Sequence, residues 1–279
     1  VLPDYLTIPA SDLGKGTNVK VTIKTDMASI GEAVAKDMFD EIVDAKKQGR
    51  EATLIVPVGP VDQFPILAKR INAERLSIRD VVLINMDEYL TDNNCWIPID
   101  HPLSFRGYMN RLFYDLLDPQ LAPKSENRVF PDPQRCNDIS KLIQSRGGVD
   151  ATFGGIGING HMAFNEPPES DEKISDKEFA ALPTRVLNLT RETRTINSVT
   201  VGGELAIIPG RAITVGMKEI LESRRMRFYC NRLWQSAVAR RVLHGPITAK
   251  CPASFMRTHP DASLTIADYV ATPPQIQLR

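Results

Sequence analysis

The chain has 279 residues, of which 42% are hydrophobic and 24% charged, enough apolar material for one large α/β unit or two small ones. Thirty-four basic and thirty-four acidic residues cancel to zero net charge, which argues against nucleic-acid binding through bulk electrostatics. No apolar run approaches the roughly 18 residues needed to cross a bilayer, and Val1-Leu2-Pro3-Asp4 has neither the basic nor the apolar character of a secretory leader. With Cys95, Cys136, Cys230 and Cys251 scattered at no metal or redox spacing, the expectation is a cytoplasmic protein with reduced thiols and no membrane association.

Short β-branched runs alternate with amphipathic patterns, the sign of βαβ units and a mostly parallel sheet. Residues 19–24 are predicted as the first strand and 29–47 as a helix. A buried strand follows at 53–58, a helix at about 61–73, and a second buried strand at 81–86 that ends in Asp87-Glu88-Tyr89. Residues 104–117 are predicted as a helix, the proline-rich stretch 119–133 as a loop, 137–146 as a helix and 149–153 as a strand. The charged run Glu169 to Lys177 is expected to be a mobile surface loop or lid. Further strands are expected at 185–189, 212–215, 226–230 and 263–267, with a helix at 234–243. No repeat or linker divides the chain, so a single α/β domain over residues 1–279 is expected, a Rossmann-like three-layer sandwich around a mostly parallel sheet.

Ligands of open parallel sheets bind beyond the carboxyl ends of the strands. Three predicted strands end in candidate chemistry: Val58-Gly59-Pro60, Asp87-Glu88-Tyr89, and the segment Gly154-Gly155-Ile156-Gly157-Ile158-Asn159-Gly160-His161-Met162-Ala163-Phe164-Asn165-Glu166-Pro167. The glycines there, Gly157 and Gly160 among them, let the backbone turn and approach a ligand closely. His161 is suited to proton transfer near neutral pH, and a partner such as Glu166 would fix its tautomer. Alone, such a histidine is more often a satisfied core residue; the glycines and Glu166 reverse that preference. No second His or Cys lies at ligand spacing, so no metal is expected.

Asp87, placed after an apolar run, is a candidate general base if burial raises its pKa. The plainer alternative is a solvated acid or a turn cap. His101, His244 and His259 neighbour Pro or Gly and are expected to be structural. Arg106, Arg111 and Arg194 are weak candidates for anion partners. The helix after Gly59 offers backbone NH groups to an anion, but Pro60 lacks an NH and Asp62 repels phosphate.

Asn85-Met86-Asp87-Glu88-Tyr89, His101-Pro102-Leu103-Ser104-Phe105 and Gly160-His161-Met162-Ala163-Phe164-Asn165-Glu166-Pro167 resemble the glucosamine-6-phosphate deaminase (isomerase) family in order and spacing. Thr193-Arg194-Thr195-Ile196-Asn197-Ser198 and His259-Pro260 extend the resemblance over roughly residues 20 to 270. The related 6-phosphogluconolactonases lack the Phe-Asn-Glu ending. The resemblance implies a modified Rossmann-like fold, no metal or organic cofactor, and an enzyme that opens an amino-sugar ring, moves a proton between C2 and C1 and releases ammonia. It assigns Asp87 as the C2 base, His161 to ring opening, Glu166 to orienting His161, and Glu88 to a supporting place nearby. It also leaves a homo-oligomer open.

The departures bear on the substrate. The family's Asp-Gly-His is Asn159-Gly160-His161 here, which keeps shape and one hydrogen bond but loses a charge. Its phosphate loop becomes Val58-Gly59-Pro60-Val61-Asp62, its phosphate-binding arginine falls on Val199, and its lysine on Gln235 or Trp234. Losing two charged contacts weakens phosphate binding by roughly two to four orders of magnitude; Arg232 and Arg194 are candidates to compensate. The leading expectation is a divergent sugar isomerase or deaminase acting on an aldose, amino sugar or derivative whose distal end is not a standard phosphate, the partner being a small-molecule sugar or sugar phosphate. The rivals are a non-catalytic sugar-binding sensor, by analogy of fold, and a sugar lactonase.

Overall fold

The computed structural model describes residues 2–59 and 63–277. Among them, ten strands form in chain order: β1 (Lys20–Lys24), β2 (Thr53–Val56), β3 (Val82–Asn85), β4 (Asp87–Leu90), β5 (Arg128–Val129), β6 (Ala151–Gly155), β7 (Arg185–Asn188), β8 (Arg211–Thr214), β9 (Met226–Cys230) and β10 (Ala262–Ala267). Seven make one sheet in the order β1-β10-β9-β6-β2-β3-β5, parallel at every pairing. β2 and β3 pair from Thr53 opposite Val82 to Val56 opposite Asn85, and all their residues are buried. That burial explains their near-continuous apolar sequence, since a central parallel strand is covered on both faces. The helices between strands flank this sheet, giving the α/β fold expected from the alternating pattern.

Local chemistry sets the helix boundaries. Met27–Lys47 starts from a capping box: Ser29 N donates to Asp26 Oδ1 at 2.8 Å, and Asp26 N donates to Ser29 Oγ at 3.1 Å. The helix expected from residue 61 is observed as Gln63–Ala73, and its predicted first turn falls partly outside the described residues. The helix expected over 104–117 ends at Leu112, and a 3-10 turn takes Tyr114–Leu116. Phe113 and Tyr114 are both buried, with Phe113 against Phe64 at a 5.1 Å ring separation. Consecutive helical positions point about 100° apart, so the chain leaves the helix to bury both rings.

Two expectations are corrected. The proline-rich loop contains β5, which pairs Arg128 and Val129 with Leu83 and Ile84; two residues are too few to leave a periodic signal. Asp87-Glu88-Tyr89 is not a strand end leading into a loop but the start of β4 in a second, antiparallel sheet ordered β4-β8-β7. The chain crosses between sheets at Met86, whose N donates to Val56 O at 3.0 Å while its carbonyl accepts from Val215 N at 2.7 Å. A small apolar cluster, including Tyr89, Ile97, Phe164 and Ala212, belongs to this second sheet.

Candidate active site

The bend at Met86 separates two adjacent carboxylates, because successive strand residues point to opposite faces. Glu88 is fully buried and surrounded by donors. Its Oε1 accepts from Tyr89 N at 2.9 Å and Phe105 N at 3.1 Å. Its Oε2 accepts from Arg106 N at 2.9 Å, Ser104 Oγ at 3.1 Å and Arg106 Nε at 3.2 Å. Glu88 thus closes the open N-terminus of the helix Phe105–Leu112 from outside. Asp87 is also buried, but its carboxylate has no hydrogen-bond donor among the described residues. Burial, and then the charge of Glu88, pushes its carboxyl up to about 8.

The loop after β6 supplies the second half of the site. Gly157 N donates to His161 O and Gly160 N to Gly157 O, each at 3.0 Å, so the turn folds back on itself. Gly157 has to be glycine, since a Cβ there would lie 2.1 Å from the His161 ring. At Gly160, φ is +92° and a Cβ would lie 2.6 Å from Cys251 Sγ. Gly160 O also accepts from Ala253 N at 2.7 Å, tying the loop to the turn Pro252–Thr258. Asn165 Nδ2 donates to Met162 O at 3.0 Å and Val215 O at 2.9 Å, fixing the loop's far end.

Thr214 joins the halves. On β8 it pairs with Asp87, and its Oγ1 accepts from Phe164 N at 3.0 Å. Tyr89, which shares a strand face with Asp87, packs on Phe164 at 5.5 Å, and Phe164 lies 6.1 Å from the His161 ring. Asp87 and His161 are therefore linked through one β-pair and one aromatic cluster.

His161 Nδ1 is surrounded by oxygens: Asn159 Oδ1 at 2.9 Å, and Glu166 Oε2 and Thr193 Oγ1 at 3.3 Å each. Asn159 Nδ2 donates to Glu166 Oε2 at 2.7 Å. An ionised carboxylate only accepts, so the amide nitrogen must face Glu166 and the amide oxygen must face His161. Burial alone would raise Glu166, but the hydrogen bond and charge of His161, followed by Asn159 and Thr193, outweigh it and hold the carboxyl below its ordinary value.

Asp87, Asn159, His161, Glu166 and the two glycines thus gather in one region, with Glu88 behind Asp87. Of the other candidates, two have their guanidinium groups committed to partners outside this group. Arg194 directs its guanidinium to Ile208 O at 3.2 Å and Leu205 O at 3.5 Å, and Arg106 is held by Glu88 and stacks over Trp96 at 4.6 Å. Arg232 and Arg111 are exposed. Gly59 is exposed with open space around it; its neighbours Pro60, Val61 and Asp62 lie outside the described residues. Val199 is 67% exposed. Gln235 is buried, with its amide used in both directions, to Ile156 O at 2.8 Å and from Arg232 N at 2.7 Å. His101, His244 and His259 each hold a backbone group, as expected of structural histidines.

Sequence reasoning assigned no role to Thr190 and Thr193. Thr190 caps the helix Arg191–Ser198, and its N donates to Glu166 Oε1 at 3.3 Å. The spacing of a Thr cap ahead of a helical run was the available signal. The charged run 169–177 is exposed apart from Ile174, but contains the start of a capped helix, Asp176–Ala180, and walls a cavity of about 700 Å³ with Glu166 at its edge. Among the described residues, no group of three or more His, Cys, Asp or Glu side chains is placed to hold a metal ion, and no helix is long and apolar enough to cross a membrane.

No protein-family model matches the chain. It is 30% identical over 242 residues to a glucosamine-6-phosphate deaminase of Serratia proteamaculans, covering 85% of this chain and 86% of the relative. It is 28% identical over 258 residues to that of Caenorhabditis elegans, covering 91% of each. Among solved structures, a monomeric glucosamine-6-phosphate deaminase superposes with a TM-score of 0.77 at 26% identity, over 91% of this chain and 99% of the other. The 6-phosphogluconolactonase of Thermotoga maritima superposes with a TM-score of 0.64 at 13% identity, over 90% of this chain and all of the other (100%), and shares the fold. By sequence and by architecture, the chain belongs to the glucosamine-6-phosphate deaminase family.

Proposed function

We propose that the chain, acting as a single α/β unit, converts an amino-sugar aldose to a ketose with release of ammonia. The observation that carries this reading is a donor-free buried carboxylate, Asp87, linked through Thr214 and Phe164 to an imidazole backed by an ionised carboxylate, His161 with Glu166. Two proton-transfer groups of opposed character are what such a reaction needs. His161 Nε2, with no hydrogen-bond partner among the described residues, moves the proton between the ring oxygen and O1 as the ring opens. Asp87 then takes the C2 proton and returns it at C1. Water adds to the resulting C2 imine and ammonia leaves, giving the ketose. Glu166 stays ionised and orients His161, Asn159 holds both, and Glu88 raises the basicity of Asp87. Proton transfers and one hydrolysis are chemistry these side chains and water supply.

Val199 and Gln235 support a substrate whose distal end meets neutral groups, with Arg232 the nearest exposed cation in sequence to Gln235. The same two residues favour a second reading, a protein that binds a sugar without turning it over. NMR-detected exchange of the C2 proton in deuterated buffer separates the two. The panel begins with glucosamine 6-phosphate and includes its unphosphorylated form and other aldoses. Exchange with one member, reduced about 10³-fold in Asp87→Asn with binding retained, is the expected result. Binding without exchange across the panel would overturn the enzyme reading in favour of the second.

A further inference from the structure

The geometry points to a second binding site, for a small phosphomonoester carrying hydroxyl groups, in a cavity of about 480 Å³ at the amino ends of β3 and β5. Arg79 precedes β3, and the 3-10 turn Ser125–Asn127 precedes β5, so the cavity lies at the opposite end of β3 from Asp87. It is separate from the site around His161 and does not depend on the chemistry proposed there. Its wall carries three cations, Arg79, Lys124 and Arg128, against one carboxylate, Asp115.

The three cations are not equivalent. Lys124 Nζ is engaged by Asp80 Oδ1 at 2.5 Å, whereas the two guanidinia are unspent. Arg128 lies over the ring of the buried Tyr114 at 4.5 Å, and its Nε donates to Pro123 O at 2.9 Å. These contacts fix the guanidinium and leave both terminal nitrogens without a hydrogen-bond partner among the described residues. The Arg79 side chain has no partner among them either, while its carbonyl accepts from Lys124 N at 3.0 Å and Asn127 Nδ2 at 2.9 Å. The backbone of Arg79 is thus pinned at the wall and its charge left free. A guanidinium held in place with its fork open suits two oxygens of one phosphate. With Lys124 balanced by Asp80, the two guanidinia match the nearly two charges of a phosphomonoester at neutral pH. Asp115 repels a bare phosphate, and it has no hydrogen-bond or ion-pair partner among the described residues. An ionised carboxylate only accepts, so it complements the hydroxyl groups of a ligand whose phosphate sits on the arginines. Pro119 adds apolar surface for the carbon skeleton between them, and the volume lies in the range of small-molecule sites.

The test is a backbone-amide NMR titration of the full chain, in about 150 mM salt, with glucose 6-phosphate, glucose and inorganic phosphate. Glucose 6-phosphate is expected to move the amides of Ser125 and Arg128 and to saturate below about 10 mM; glucose is expected to leave them in place. Arg79→Gln, which removes no side-chain contact within the protein, should weaken this binding about tenfold, and Arg128→Gln at least as much. If Arg128→Gln does not fold, Arg128→Lys, which keeps the charge but not the fork, is read in its place with the same expectation. Asp115→Asn should tighten inorganic phosphate severalfold and leave glucose 6-phosphate no tighter. Still amides at Ser125 and Arg128 overturn the proposal, as does binding unchanged in Arg79→Gln. Shifts confined to the loop after β6 also overturn it, because the ligand would then occupy the site around His161. An equal response to glucose overturns the phosphate as the recognised group, and equal tightening of both phosphates in Asp115→Asn overturns the recognition of hydroxyl groups.

Discussion

Asp87 and Glu166 are equally buried, at 8% exposure each, yet their carboxyls shift in opposite directions. The difference is donors. At the bend between the two sheets, Asp87 faces no hydrogen-bond donor among the described residues and has the charge of Glu88 beside it. In the loop after β6, Glu166 receives an amide, a hydroxyl and an imidazole. Burial makes a carboxylate basic only where the fold withholds partners. The protein withholds them at one place and concentrates them at the other, which is how two carboxylates in one site come to hold different protonation states.

The largest expected effect comes from removing the donor-free carboxylate. Asp87→Asn should lower C2-proton exchange about 10³-fold, while kcat/KM of the wild type should rise with pH and level off above about 8, as Asp87 ionises. The same substitution should stabilise the fold. The native carboxyl titrates at about 8 against an ordinary 3.8, so its unfavourable contribution is absent below pH 3.8 and grows as pH rises to 8. Thermal melting should therefore show Asp87→Asn more stable by about 1–3 kcal/mol at pH 8 and equal to wild type near pH 3.5. A variant less stable at pH 8 would show that Asp87 has a native partner.

Glu88→Gln should do the reverse. Replacing a five-donor acceptor with an amide leaves buried NH groups opposed, costing about 2–3 kcal/mol in chemical denaturation. Turnover should stay within about tenfold, since Glu88 acts only through Asp87. The smallest effect is expected from Asn159→Asp, which brings two carboxylates to the 2.7 Å now spanned by a hydrogen bond. One of them must then hold a proton, and the pair's raised pKa makes the variant equal to wild type near pH 4 but less stable as pH rises to 8. A loss of about 1–2 kcal/mol at pH 8 is expected in melting curves. No pH dependence in that difference would show that Glu166 does not depend on the amide.

Much of this was legible before any coordinates. The apolar runs of β2, β3 and β6 announced the parallel sheet because strands covered on both faces are apolar at most positions. Asp87, His161 and Glu166 were legible as candidates from position and spacing. Glu88 was legible as present but not as a cap, because its donors come from residues 104–106, far along the chain. Thr190 was legible at most as a helix cap, and neither its contact with Asn159 nor that of Thr193 with His161 could be read. Their hydroxyls matter only once folding brings them to Asn159 and His161, which lie about thirty residues earlier and are joined to them by no sequence period. Side-chain networks that close across loops have no one-dimensional signature, whereas strands and caps do.

The single residue Met86 has a mechanical consequence. With its NH spent on Val56 in one sheet and its carbonyl on Val215 at the end of a strand in the other, it acts as a rivet through both layers. The small antiparallel sheet is joined through this residue to β2, an interior strand of the large one, and the residue next to the rivet is Asp87. The candidate base is thus fastened to both sheets, while its imidazole partner sits on a glycine turn anchored to the turn Pro252–Thr258.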